Sequence, residues 1–111
     1  MAYVPKRGDI VWLNFTPQAG HKQMGTRPAL ILSPEKYNKK TGLAICCPIT
    51  SNIKGYPFEV RIIGKKINGA ALADHPKNLD WKVRKAKFIE KTSEAVVEEC
   101  SQKISALILP T

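Results

Sequence analysis

The sequence predicts a mainly β fold with appended α-helices: a small, strongly curved, mostly antiparallel sheet or barrel with a C-terminal helix. Three observations predict it. Eight prolines and seven glycines punctuate the whole chain of 111 residues and leave only short segments between them. That is the pattern of many short strands rather than of helices. Several of those segments are β-branched, aromatic or continuously apolar, as at residues 10–15 (IVWLNF) and 43–49 (LAICCPI). Only near the C-terminus do apolar residues take the 3,4 spacing of a helical face, at Val97, Cys100, Ile104, Leu107 and Ile108.

Residues 10–15 follow the turn pair Gly8 and Asp9 and read as a strand. Residues 16–26 hold Pro17, Gly20 and Gly25 without periodicity and read as a loop of about ten residues, near the length at which loops are usually functional. Residues 29–32 (ALIL) form a buried strand, and the polar connection 34–42 leaves room for a short helix at 34–38 before a turn at 38–42. Residues 43–49 are a second buried strand, followed by a polar loop at 50–57. Residues 58–63 (FEVRII) partly alternate, with Glu59 and Arg61 facing away from Phe58, Val60 and Ile62. A basic turn at 64–69 leads to a short strand at 70–73 and a turn at 75–80. Residues 81–89 (WKVRKAKFI) read as a strand with one wet, basic face. Thr92 or Ser93 is the candidate N-cap of the terminal helix, Glu94 suits its first turn, and Pro110 ends it.

The length is that of a single domain, residues 1–111, with burial enough for one modest core. Eighteen Lys and Arg against nine Asp and Glu give a net charge of +9. That excess exceeds what solubility needs and points to a polyanionic partner. No apolar run approaches the ~18 residues that span a bilayer, so no membrane role is expected. The first six residues lack the apolar stretch of a secretory signal. Three cysteines, two of them adjacent at 46 and 47, make a poor disulfide framework, and a reducing cytoplasm fits best.

The metal reading fails first, since neighbours on a strand point to opposite faces and no paired Cys or His spacing exists. Cys46, Cys47 and Cys100 all sit in apolar surroundings and read as small buried hydrophobes. Gly20 and Gly25 are spaced as a loop rather than a phosphate-binding motif. What remains is polar residues beside buried strands. Arg27 precedes Pro28 at a loop-to-strand junction; Thr50 and Ser51 stand just past residues 43–49; His21, Lys22 and Gln23 sit on the long loop, and Lys54 on the second; Asp74, His75, Lys77 and Asn78 follow the strand at 70–73. Each has an ordinary alternative. A lone Arg beside a Pro is usually solvated, Thr-Ser after a strand usually starts a turn, and cations at 82, 84, 85 and 87 usually form a wet face. The charge excess by itself supports nucleic-acid binding and no particular catalysis.

In order and spacing, GDIVWLNF (8–15), AGHKQMGTRPALILSP (19–34), YNKKTG (37–42), CPITSNIKGYPFEV (47–60) and GAALADHPKNLDW (69–81) resemble the MazF/PemK family of toxin ribonucleases. The resemblance runs from Gly8 to about Trp81, and SALIL (105–109) also fits. It implies a small SH3-like barrel of the MazF/PemK/CcdB type that forms a homodimer. It implies cleavage of single-stranded RNA at short sequences, with neither metal nor cofactor, leaving a 2′,3′-cyclic phosphate and a 5′-hydroxyl. It implies an acidic, MazE-like antitoxin that folds across the RNA groove, with operator DNA reached only through the antitoxin complex. The family's Arg before Pro falls on Arg27, its Thr on Thr50 with Ser51 beside it, the His of the PemK-like branch on His21 and that branch's acidic residue on Asp74. Arg27 suits the phosphate, because its planar fork binds two oxygens and stays charged. Thr50 has a hydroxyl to donate to a non-bridging oxygen. The base stays open among Asp74, His21 and His75, imidazole being the side chain best matched to proton transfer near neutrality.

Three departures stand out. Lys22 takes a position where many relatives carry an acid, Leu72 replaces the Arg of the PemK-like branch, and His75 replaces the usual Gln. A groove for single-stranded RNA would draw on Lys22, Lys54, Lys77, Lys82 and Arg84, with Gln23, Asn52 and Asn78 reading base edges. Trp12 and Trp81 are candidates for stacking on bases, for buried packing or for antitoxin docking, and Ile53 is a candidate anchor. A gyrase-poisoning toxin of the same fold and a plain nucleic-acid-binding barrel are the alternative readings.

Overall fold

The computed structural model describes residues 2–16 and 25–110. Chain order is β1 (Asp9–Asn14), β2 (Thr26–Ile31), α1 (Glu35–Thr41), β3 (Ala44–Thr50), β4 (Glu59–Ile63), β5 (Asn68–Leu72), β6 (Lys77–Leu79), β7 (Lys87–Lys91) and α2 (Glu94–Ile108). All strand pairs are antiparallel, in the order β4-β5-β3-β2-β1-β7, with β6 also on β3. The curled half-barrel with its C-terminal helix is the predicted class. Among the described residues no helix is long and apolar enough to cross a membrane.

β3 organises the sheet. Ala44, Ile45 and Cys46 pair with β6, Cys46, Cys47 and Pro48 with β2, and Ile49 and Thr50 with β5. Side chains alternate along it. Cys47 and Ile49 enter a cluster with Ile10, Leu30, Val60 and Ile62, which Val97 and Cys100 of α2 cover. Ala44 and Cys46 enter a second cluster with Val11, Leu13, Ala29, Ile31 and Trp81. The single core expected from length is thus two patches on opposite faces of one sheet. Burial pushes the Cys46 thiol up to about 12, as befits a packing group.

Three segments differ from the sequence reading. Residues 81–85 are turns, and β7 begins only at Lys87. The Ala86 amide donates to the Trp81 carbonyl, the Arg84 amide to the Asp80 carbonyl, and Lys85 takes a φ of 58°. A loss of strand alternation within residues 81–89 was the local sign of this. Residues 77–79 form β6 rather than continuing a turn. α1 runs on to Thr41 and closes at Gly42, whose φ of 75° favours glycine. In α2, Ser93 is the cap that accepts from the Val96 amide, as expected. Its apolar stripe, however, outruns the sheet: Val97 and Cys100 are buried, while Leu107 and Ile108 are 51% and 72% exposed.

Asn38 ties the parts of one face together. It is fully buried. Its Nδ2 donates to the carbonyls of Pro5 (2.8 Å) and Ser33 (3.0 Å), and its Oδ1 accepts from the Ser33 hydroxyl (2.5 Å). Its carbonyl accepts the Trp81 indole N–H at 2.9 Å. Trp81, only 8% exposed, is therefore core, and the base-stacking reading of it is corrected. Asn38→Ala strands several buried polar groups at once and is expected to cost about 2 kcal/mol or more. Urea unfolding measures this; a loss below half of that would refute the hub.

Candidate active site

β2 and β3 bring their polar ends to one place. Arg27 is the second residue of β2, opposite Leu13 of β1, and Pro28 behind it is opposite Trp12. Proline at the next position holds Arg27 extended, so its exposed side chain leaves a fixed strand. Thr50 is the last residue of β3. Arg27, Thr50 and Ser51 line one cleft of about 520 Å³ together with Trp12, Lys66 and Asn68. Thr50 also walls a second, smaller concavity of about 220 Å³ with Asn52, Lys54, Tyr56, Asp74 and His75. It stands between the guanidinium on one side and the Asp74–His75 pair on the other.

Local chemistry fixes these positions. The Thr50 hydroxyl oxygen accepts the Asn52 amide at 3.0 Å, which starts the turn. Among the described residues its proton takes no acceptor, so it is free to donate outward. The Glu59 carboxylate accepts the amides of Lys54 and Gly55, the latter at 2.8 Å, and so shapes the loop carrying Asn52 and Lys54. On the other side, Gly69 of β5 lies hard against the Thr50 carbonyl, where any added Cβ would clash with backbone. Asp74 and His75 are both exposed, with Oδ1 and Nε2 3.7 Å apart. Among the described residues no group of three His, Cys, Asp or Glu comes together to hold a metal.

The remaining predicted residues divide. His21, Lys22 and Gln23 lie outside the described residues. Lys77 and Asn78 sit on β6 beyond both concavities, and Asn78 donates to the Tyr37 hydroxyl at 3.0 Å. Lys82 is exposed on the turn after Trp81. Arg84 is occupied: its Nε meets Asp80 Oδ1 at 2.5 Å, and it donates to the Asn14 carbonyl at 3.1 Å. The structure does not bring these four to the Arg27 cleft. Among the wall residues that escaped the sequence reading are Tyr56, Lys66 and Asn68, the last at the start of β5. Tyr56 lies on the polar loop, and Lys66 on the basic turn between β4 and β5. The sign for Lys66 was present, since a basic turn joining two strands of a curled sheet points its tip to one rim.

Residues 6–108 match the family model described as PemK-like, MazF-like toxin of type II toxin-antitoxin system. The Escherichia coli K12 endoribonuclease toxin MazF is 43% identical over 106 residues, 96% of each chain. Endoribonuclease PemK of Escherichia coli is 32% identical over 93% of this chain and 81% of its own. Among solved structures, a chain of the MazE-MazF crystal structure from Deinococcus radiodurans superposes with a TM-score of 0.92 at 49% identity, over 99% of this chain and all of that one.

The Gly69 contact is testable without any assay of activity. Gly69→Ala must push β5 from the end of β3 and is expected to cost about 1–3 kcal/mol. Denaturant unfolding checks it; an unchanged midpoint would show that the contact tolerates a methyl group.

Proposed function

This chain belongs to the PemK-like, MazF-like family of type II toxins and is an endoribonuclease; we propose that it cleaves single-stranded RNA, messenger RNA in the cytoplasm, at short sequences and without a metal. The observation that carries the reading is the single cleft shared by Arg27, Thr50 and Ser51. The nucleophile comes with the substrate. The RNA's 2′-oxygen attacks the adjacent phosphorus, the new O2′–P bond forms as the P–O5′ bond breaks, and the products are a 2′,3′-cyclic phosphate and a 5′-hydroxyl. Arg27 pairs with the non-bridging oxygens as charge builds on them. Thr50 donates its free proton to one of them, and Ser51 lies beside it. The proton of the 2′-hydroxyl passes to a base, and the leaving O5′ takes one up. Asp74 and His75 line the concavity that Thr50 also walls and are candidates for the base or the acid, two roles that an in-line attack sets on opposite sides of the phosphorus; His21 is the third candidate. Asn52, whose amide donates to Thr50, and Lys54, whose amide donates to Glu59, face bases and backbone from the smaller concavity; Lys22 and Gln23, outside the described residues, are further candidates for RNA contact.

The partners follow from exposed apolar groups and from charge. Leu107, Ile108 and Leu109 of the helix end and Ile45 of β3 are open, a surface suited to a second copy of the chain. Trp12, at 38% exposure, lines the larger cleft, and Ile53, at 41%, is exposed between Asn52 and Lys54; both suit anchors of an acidic antitoxin segment laid over the same groove. The MazE-MazF complexes among the relatives support such a partner.

Arg27→Ala and Thr50→Val are each expected to slow cutting of a long RNA in EDTA by about 10²–10³-fold; Arg27→Ala keeps the melting temperature, while Thr50→Val also loses the hydrogen bond from the Asn52 amide, about 1 kcal/mol. A folded Arg27→Ala protein that cuts at the wild-type rate would sink the assignment, and a wild-type protein that makes no cuts in EDTA would sink the metal-free reaction. For the partners, sedimentation is expected to give twice the monomer mass, and an acidic antitoxin peptide to suppress cleavage. A monomer would refute the dimer; undiminished cutting with peptide bound would refute the shared groove.

A further inference from the structure

The turn between β4 and β5 is built around a carboxylate from elsewhere in the chain. Glu90 of β7 accepts three consecutive backbone N–H groups, from Lys65 (3.0 Å), Lys66 (3.0 Å) and Ile67 (2.8 Å). Such an arrangement is a nest of amides closed on an anion. Although burial opposes its charge, those amides and the nearby Lys66 ammonium hold the Glu90 carboxyl below the usual carboxylate range. At Gly64, at the start of the turn, a Cβ would meet the Glu90 carboxylate, which would have to move off these amides to admit it. The turn thus has one geometry, and that geometry makes Lys66 a wall of the cleft that holds Arg27 and Thr50. Among the described residues Lys66 makes no ion pair. Its ammonium is near enough to favour the ionised Glu90 carboxylate, yet among the described residues it lies within 4 Å of no acid and lines the open cleft.

We propose that Lys66 binds an RNA phosphate next to the scissile one, and that Glu90 is the positioning residue that holds Lys66 over the cleft. The inference rests on the RNA-cleaving function proposed above and adds to it a cation that extends the phosphate track from Arg27 along the rim formed by β5. The geometry makes an unusual demand on Glu90. An acidic residue near an RNA groove ordinarily weakens binding, so its removal would strengthen it. Here its removal frees the turn and weakens binding.

The experiment uses a mixed-sequence single-stranded DNA, which carries the phosphates but no 2′-hydroxyl and is not cut. Affinity is measured against salt concentration for the full chain. Each phosphate neutralised on a single strand contributes about 0.7 to the slope of log affinity against log salt. Lys66→Gln is expected to lower that slope by about 0.7, and Lys66→Arg to keep it. Glu90→Gln is expected to lower it equally despite removing a negative charge, and Lys66→Gln added to Glu90→Gln to remove nothing more. A purely structural Glu90 would lower the melting temperature and leave the slope alone. An unchanged slope in Lys66→Gln, in a protein whose wild type cuts RNA, overturns this inference by itself. So does tighter binding by Glu90→Gln. A wild type that cuts no RNA overturns the functional reading and this inference with it.

Discussion

The structure depends on how one strand shares its edges among three neighbours. β3 is seven residues long and pairs with β6, β2 and β5 in turn. An unpaired buried amide or carbonyl costs about as much as a lost hydrogen bond, so each neighbour is set by what the last left unpaired. β6 pairs as far as Cys46 and β5 pairs from Ile49, so the handover passes over Cys47 and Pro48 and is complete at Ile49 and Thr50. The sheet curls there, and the curl opens both concavities at the same threonine. Gly69 belongs to this handover, because only a residue without a side chain lets β5 come close enough to take it. Site and fold are therefore one problem, since what ends β3 also places its hydroxyl.

Electrostatics are handled by the backbone as much as by side chains. Glu59 and Glu90 each turn to main-chain amides on loops flanking Thr50, and neither forms an ion pair with Lys or Arg among the described residues. The ion pairs that do form, such as Lys91 with the buried Asp9 at 3.1 Å and Arg84 with Asp80, lie away from the clefts. Charge is cancelled where the fold needs it held and left uncancelled on Lys54 and Lys66 at the rim.

How much of this was legible in the sequence follows from how local each cause is. Continuous apolar runs such as residues 29–32 and 43–49 declare strands in themselves, and Ser93 with Glu94 declares a helix start. The junctions Arg27-Pro28 and Thr50-Ser51 were visible because they sit at the ends of such runs. The 81–85 turn was not, because it is made by Asp80 reaching Arg84 and by Trp81 anchoring on Asn38, 43 residues earlier in the chain. Its cations looked like a strand face only while a strand was assumed. Glu90 was missed for the same reason, and with it the fixed place of Lys66: the basic turn was visible, but nothing near it says that a carboxylate on β7 will shape it. Pairings across the sheet decide such matters, and a single sequence shows only their ingredients.

The closure of β1 by β7 has a consequence for the order in which the molecule can be finished. Asp9 pairs with Lys91 and Trp12 with Lys87, so the first strand waits for nearly the last. Arg27 and Thr50 are synthesised early, yet the turn that forms the far wall of their cleft is gripped by Glu90, which follows seconds later at about 5–20 residues per second. α2, the lid of one hydrophobic patch, comes later still. Until those pieces arrive, β3 has neighbours but the barrel has no seam. The walls of the cleft are therefore assembled from segments far apart in the chain, and the site can first take shape only once β7 has been made.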